Sequence, residues 1–222
     1  MRQVQTALNE SCFSAITNES CYWAGFMLGD GCVEDRRKTS NMRIMLRLKA
    51  SDIEHIEKFR AFVGHQGKIY MQSIPSKVTK NRINHTCSVN ITSTPMALDL
   101  INIWGVTPNK RFNAKVCKNM EDNIDFWRGL IDSDGSLFYK KVQKTIRPAI
   151  NITGTRAICE SFIRFAGAYF ITEAKPYSDG NSFQVMFAGN KILPLIGGLY
   201  GNAEVYLARK HALAQKFIQE FA

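Results

Sequence analysis

Two segments of this sequence end in the same dipeptide after the same spacing of aromatic and small residues. Tyr22-Trp23-Ala24-Gly25-Phe26-Met27-Leu28-Gly29-Asp30-Gly31 is matched by Phe126-Trp127-Arg128-Gly129-Leu130-Ile131-Asp132-Ser133-Asp134-Gly135. Trp23, Phe26, Met27 and Asp30 recur at i, i+3, i+4 and i+7, which predicts a helix over Asn18 to Asp30. Gly31 is a suitable stop. Gly25 and Gly29 share one helix face, as do Gly129 and Ser133. Small residues at that spacing let two helix backbones approach closely. Packed on each other, the two helices would each deliver one aspartate, Asp30 or Asp134, at a C-terminal end.

A carboxylate is disfavoured at that end by roughly 0.3–1 kcal/mol, because unpaired carbonyls already make it partly negative. Two such ends meeting would concentrate carboxylates and carbonyls in one place. A hard divalent cation with oxygen ligands offsets this, and Mg²⁺ suits a partly hydrated site. Such cations can activate water and stabilise the leaving oxygen of a phosphodiester. The Asp132-Ser133-Asp134-Gly135 run does not continue into a twelve-residue calcium loop closed by Glu.

The elements around the two motifs also repeat. Arg43 to Lys49 alternates, with Ile44, Leu46 and Leu48 on one face and basic residues on the other, as in a half-buried strand. Ser51-Asp52-Ile53-Glu54 has the form of a capping box opening a helix that ends at Gly64. Lys68, Tyr70 and Gln72 alternate with Ile69 and Met71, and Ile83 to Ile91 alternates again. Thr94-Pro95 opens a further helix. In the second half, strands are predicted at Ser136–Val142 and Ile146–Thr153, then a helix at Thr155–Phe165. Strands at Ala168–Tyr177 and Phe183–Phe187 follow, then helices near Asn190–Tyr200 and Ala203–Glu220. The predicted unit is α-β-β-α-β-β-α, twice, in an α+β fold. The join falls between Phe112 and Glu121, giving units 1–114 and 115–222.

Composition narrows the function classes. The chain has 222 residues, 45% of them hydrophobic, which suffices for a buried core and argues against disorder. No apolar run approaches the roughly 20 residues of a membrane span, so no membrane association is expected. The opening MRQVQTALNESCFS lacks an apolar core, so no secretory signal is expected. Six cysteines form no CxxC pair, which fits a reducing interior rather than a zinc site. Trp104 and the cysteines read as core. There are 29 Lys and Arg against 19 Asp and Glu, a net charge of +10. No acid lies between Glu57 and Asp99 or between Asp134 and Glu160, whereas both stretches are rich in Lys and Arg. Basic acid-free stretches point to a polyanion such as nucleic acid.

The paired segments resemble the LAGLIDADG motif, and the chain resembles a single-chain, two-motif LAGLIDADG homing endonuclease over nearly its whole length. The resemblance implies two pseudo-symmetric αββαββα units forming a saddle of antiparallel sheets over DNA. It implies a monomer that hydrolyses both strands of a long asymmetric target and leaves 3′ overhangs. Mg²⁺ is the implied cofactor, with Mn²⁺ able to substitute and Ca²⁺ supporting binding without efficient cleavage. The metal ligands map onto Asp30 and Asp134 and onto the preceding carbonyls of Gly29 and Ser133. A free-standing intron-encoded protein is expected, in a mitochondrion, a chloroplast, or a bacterial or phage-infected cytoplasm. Alternatives on the same scaffold are a maturase binding its host intron RNA and a noncatalytic DNA-binding regulator.

Two departures from the motif stand out. Leu28 occupies the sixth position, where Asp132 keeps the acid. Arg128 replaces a small residue at the second position and is expected to point outward, since it would be hard to bury.

Gly105-Val106-Thr107-Pro108-Asn109-Lys110-Arg111 resembles a family segment that places a lysine, here Lys110, near the reacting phosphate. Tyr206-Leu207-Ala208-Arg209-Lys210 resembles the family's terminal helix, and Lys210 is a further catalytic candidate. A direct equivalent of Lys110 is not evident there, which implies asymmetric sites. Arg47 and Asn151 are read as equivalent, water-positioning residues. Base reading is expected from the open strand faces. The first-half candidates are Arg36, Arg37, Lys38, Arg43, Lys49, Lys68, Tyr70, Gln72, Lys77, Lys80, Arg82 and Asn84. The second-half candidates are Ser136, Tyr139, Lys141, Gln143, Arg147, Lys175, Tyr177, Ser182 and Gln184.

Overall fold

Every residue from Ser20 to Leu28 is buried, on all sides of the first helix, so that helix lies inside the protein rather than on its surface. The computed structural model describes residues 8–38, 40–75, 83–171 and 174–221. Helix α1 (Asn18–Gly29) is followed by strands β1 (Gly31–Glu34) and β2 (Arg43–Lys49). Helix α2 (Ile53–Phe62), strands β3 (Tyr70–Pro75) and β4 (Ile83–Thr92) and helix α3 (Thr94–Asn102) complete the first unit. The second runs α4 (Ile124–Asp134), β5 (Gly135–Val142), β6 (Thr145–Gly154), α5 (Arg156–Gly167), β7 (Tyr177–Asp179), β8 (Ser182–Ala188), α6 (Leu193–Tyr200) and α7 (Ala208–Phe221).

Each unit makes one four-stranded antiparallel sheet, ordered β1-β2-β4-β3 and β5-β6-β8-β7. Ile44, Leu46 and Leu48 face inward with Val89 and Ile91, and Ile150 and Ile152 do so with Val185 and Phe187. The opposite faces carry the polar residues of the same strands, as period-two alternation requires. The α+β class and the twofold repeat of the unit are as expected.

Helices α1 and α4 join the halves. A methyl on Gly25 would sit 2.0 Å from the Phe126 carbonyl oxygen, and one on Gly129 would sit 1.9 Å from the Tyr22 carbonyl oxygen. These atoms belong to backbone on both sides and cannot step aside. We expect Gly129→Ala to cost about 3 kcal/mol, from forced separation of the helices. Urea denaturation monitored by tryptophan fluorescence measures the loss.

Three predicted elements differ. The capping box at Ser51 to Glu54 does not form. Residues 50–52 make a 3-10 turn, and the Asp52 side chain caps nothing. Its carboxylate accepts from Arg209 of the second unit at 3.2 Å instead. Of the predicted strand 168–177, residues 168–171 and 174–176 are not strand and Tyr177 is the first residue of β7. The Ile171 N–H donates to the Ala166 carbonyl and Phe170 adopts φ 64°, so residues after α5 close that helix. The last helix starts at Ala208 rather than Ala203, because the backbone before it is held by buried side chains of α4.

Candidate active site at the paired helix ends

The backbone contact at Gly25 and Gly129 brings the two motif ends together. Asp30 caps α1, its N–H donating to the Phe26 carbonyl at 3.0 Å, and Asp134 is the last residue of α4. A methyl on Gly29 would overlap the Ser133 hydroxyl and lie 3.2 Å from the Asp134 carboxyl carbon. Both aspartates reach solvent. Burial among the helix ends nevertheless lifts both carboxyls above their usual range, Asp134 to about 6, and Asp30 pushes Asp134 further the same way.

Two ammonium groups oppose this. Asn109 takes a left-handed conformation (φ 58°), and the chain then turns through Lys110–Phe112. Lys110 Nζ donates to the Leu28 carbonyl at 2.5 Å and to the Gly29 carbonyl. Lys210 Nζ donates to the carbonyls of Ile131 (2.6 Å), Asp132 (2.7 Å) and Gly135 (2.7 Å). Each lysine thus satisfies orphan carbonyls at a motif-helix C-terminus, where a cation is favoured. Burial lowers both, Lys210 to about 8, while the aspartates pull them back up. Lys210 is therefore the counterpart of Lys110 that was not evident in the sequence. It is 5% exposed, whereas Lys110 lines a cleft of about 610 Å³ with Asp134, Asn109 and Thr107.

The second-position arginine does not point outward. Arg128 is 4% exposed. Its Nε donates to the Val205 carbonyl at 2.8 Å, its Nη1 to the Leu199 carbonyl at 3.1 Å, and its Nη2 to Asp125. Asp132 is as deeply buried and accepts from Tyr22 Oη (2.8 Å), Tyr200 Oη (2.7 Å) and the Leu207 N–H (2.7 Å). The two side chains grip residues 199–207 from α4, and that segment leads directly to Lys210.

His55 joins this network, its Nε2 lying 3.0 Å from Tyr22 Oη, and burial pushes it down from the usual 6.5 to about 3. The unfolded chain therefore takes up a proton below about pH 6.5 that the folded chain refuses. Stability falls with pH across that window, by about 1.4 kcal/mol per unit for one such group. Protonation of Asp134 near pH 6 acts in the opposite sense, so the His55 contribution is read as the difference in slope, about one proton, between denaturant melts of the intact chain and of His55→Gln from pH 7.5 to pH 5.

The other candidates divide by face. Arg47, Lys49, Tyr70, Gln72 and Asn84 lie on the open face of the first sheet, and Lys68 is exposed just before β3. Arg36 and Lys38 are exposed beyond β1, where Arg37 pairs with Asp35. Arg43 pairs with Glu34. Ser136, Arg147, Asn151, Tyr177, Ser182 and Gln184 lie on the open face of the second sheet. Tyr177 Oη donates to Gln184. Gln143 sits in the β5–β6 turn at φ 54°, and Lys175 is exposed ahead of β7. Lys77, Lys80 and Arg82 lie outside the described residues.

Two placements need correction. Tyr139 and Lys141 share the parity of buried Leu137, and Tyr139 packs on Phe217 of α7 and donates to Glu220 at 2.6 Å. They face the helices, and Lys140 and Phe138 occupy the open face instead. Arg47 and Asn151 are not register equivalents. Gly31 pairs with Leu46 and Gly135 with Ile152, so Met45 matches Asn151 and Thr153 matches Arg47. Aligning the strands from the two motif glycines, rather than from the helices after them, reveals both points.

The donor set at the centre consists of carboxylates and carbonyls. Among the described residues no three His, Cys, Asp or Glu side chains cluster to hold a metal. All-oxygen donors in small number fit a hydrated hard cation such as Mg²⁺. The Gly29 carbonyl accepts from Lys110, so a cation held there would share that oxygen with the ammonium and be repelled by it.

No protein-family model and no curated protein matches the sequence. Solved structures do match. Meganuclease I-SmaMI bound to uncleaveable DNA aligns with TM-score 0.61 and 14% identity over 89% of this chain and 88% of that one. LAGLIDADG homing endonuclease I-GzeII in complex with its DNA target aligns with TM-score 0.60 and 11% identity over 92% and 90%. Homing endonuclease I-WcaI bound to its DNA recognition sequence aligns with TM-score 0.62 and 12% identity over 87% and 85%. With paired motif helices at its centre and an open sheet on each side, the chain adopts the LAGLIDADG homing endonuclease fold.

Proposed function

We propose that this protein is a site-specific, Mg²⁺-dependent homing endonuclease that acts as a monomer and leaves 3′ overhangs. The observation that carries this reading is the meeting of Asp30, Asp134, Lys110 and Lys210 at one point between two open, basic sheet faces. Those faces lay a duplex across the helix ends and hold it by phosphate and base contacts. Asp30 and Asp134, with the Ser133 carbonyl, would hold the cation. Bound there, Mg²⁺ supplies a water of lowered pKa and Lewis-acid stabilisation of phosphate oxygens. Mn²⁺ is expected to substitute, and Ca²⁺ to support binding alone.

Lys210 is held by three carbonyls and acts as a fixed positive charge that keeps Asp134 ionised. Lys110, on the cleft side, swings from the Gly29 carbonyl to a phosphate oxygen and offsets the charge that develops in the transition state. The experiment is incubation of a randomised DNA library with the protein and Mg²⁺, followed by sequencing of the new ends. One recurrent long site with staggered 3′ ends is the expected result. A recurrent site bound in Ca²⁺ but never cut in Mg²⁺ or Mn²⁺ overturns the reading.

A further inference from the structure

The two sheets present different chemistry at the same place. Four residues beyond Asp30 and Asp134 stand Glu34 and Phe138. The register sets Glu34 beside Arg43 and Arg43 beside Thr92. It sets Phe138 beside Ala149 and Ala149 beside Ala188. Both rows lie on the open faces, at positions related by the internal repeat. One is a polar row with an ion pair, and the other is wholly apolar.

Arg43 Nε donates to Glu34 at 3.1 Å, and Nη2 donates at 2.9 and 2.7 Å. The side chains are 31% and 33% exposed, so the pair is reachable. Donation from two nitrogens to one carboxylate fixes the guanidinium plane. The outer Nη1–Nη2 edge keeps donors for a second acceptor pair. Guanine offers that pair, O6 and N7, in the major groove. Because Glu34 neutralises Arg43, the pair attracts a bare phosphate weakly, which directs it to bases rather than backbone. Across the repeat, Phe138 and Ala188 are partly exposed over the buried Ala149, and none of the three has a side-chain polar atom. Such a surface favours the thymine methyl and leaves the polar edge of a G·C pair without a partner.

We propose that Glu34 and Arg43 select guanine in the half-site under the first sheet, and that Phe138 selects thymine at the related position of the other. This rests on the DNA-cleaving reading above, and makes the target asymmetric at a defined pair of positions.

The test is parallel selection from a randomised library, by cleavage in Mg²⁺ and by binding in Ca²⁺, with the intact chain, Arg43→Ala, Glu34→Gln and Phe138→Ser. Circular dichroism melts confirm that each variant is folded. In the intact chain we expect guanine and thymine at the two positions. Arg43→Ala should lose the guanine preference by about 10- to 100-fold and keep the thymine preference. Glu34→Gln should weaken it while adding phosphate affinity, and Phe138→Ser should relax only the thymine position. For Arg43→Ala the slope of log affinity against log salt should stay unchanged, because a phosphate contact would lower it by about one.

Uniform bases at both positions in the intact chain, or an Arg43→Ala variant that changes the salt slope and leaves the preference intact, overturn the proposal. Selected binding without cleavage overturns the nuclease reading instead and still scores the bases. No selection in either arm overturns both.

Discussion

Asp30→Asn and Asp134→Asn should each reduce double-strand cleavage by at least about 100-fold, the scale of losing one charged group at a reacting centre. Binding in Ca²⁺ should stay within a few-fold, because the base-reading faces are untouched. The same variants should be more stable than the parent in the absence of cation. Burial raises both carboxyls, and Asp30 adds repulsion at Asp134, so each ionised group is a strain on the folded state at neutral pH. Both side chains reach solvent, which screens the effect, at Asp134 to about 1 kcal/mol, or 2–4 °C in Tm for a chain of this size. A gain in Tm with a loss of cleavage separates a functional site from a damaged fold. Equal cleavage by either variant and the parent would exclude the paired aspartates from the chemistry.

Arg128→Ala and Asp132→Ala should each cost about 3–5 kcal/mol, the scale of breaking a buried charged network on one side. Arg128→Ala strips the buried carbonyls of Leu199 and Val205 of their donor. Asp132→Ala removes the acceptor of two tyrosine hydroxyls and of the Leu207 N–H. The molecule itself contains the alternative. At the matching positions of α1 stand Ala24 and Leu28, both buried. An Arg128→Ala/Asp132→Leu double variant should therefore cost less than the sum of the single changes, by about 1–3 kcal/mol of coupling. Urea melts of the intact chain, Arg128→Ala, Asp132→Leu and the double variant complete the cycle. A strictly additive double variant would show that the two side chains grip residues 199–207 independently.

These results also mark what could be read from the residues alone. The motif helices were legible because one pattern occurs twice, and Asp-Gly after two small residues has few other uses. Strand β2 was legible to the residue, since Arg43 to Lys49 alternates without a break. The position of Lys210 was not. It depends on the course of residues 201–207, which follows from hydrogen bonds made by Arg128 and Asp132 far away in sequence. Arg128 reads as exposed by any rule based on residue type, because burial becomes favourable only where carbonyls and a carboxylate surround it. The open faces were legible as basic. The parity of Tyr139 and Lys141 was not, because an exposed hairpin end has polar residues on both sides. At Ala168 to Ile171 an apolar pattern served a helix terminus and a turn, and alternation alone does not distinguish these from an edge strand.

The burial of α1 on all sides bears on how the chain is made. Its residues Ser20 to Leu28 need α4, which lies roughly 100 residues later. At about 5–20 residues per second, a ribosome exposes the first unit for some 5–20 s before its partner helix is complete. During that interval the Gly25 face is an adhesive surface with no local cover. Neighbouring nascent chains on one message carry the same surface, so slow or stalled translation should divert this protein into aggregates that the finished fold would never form.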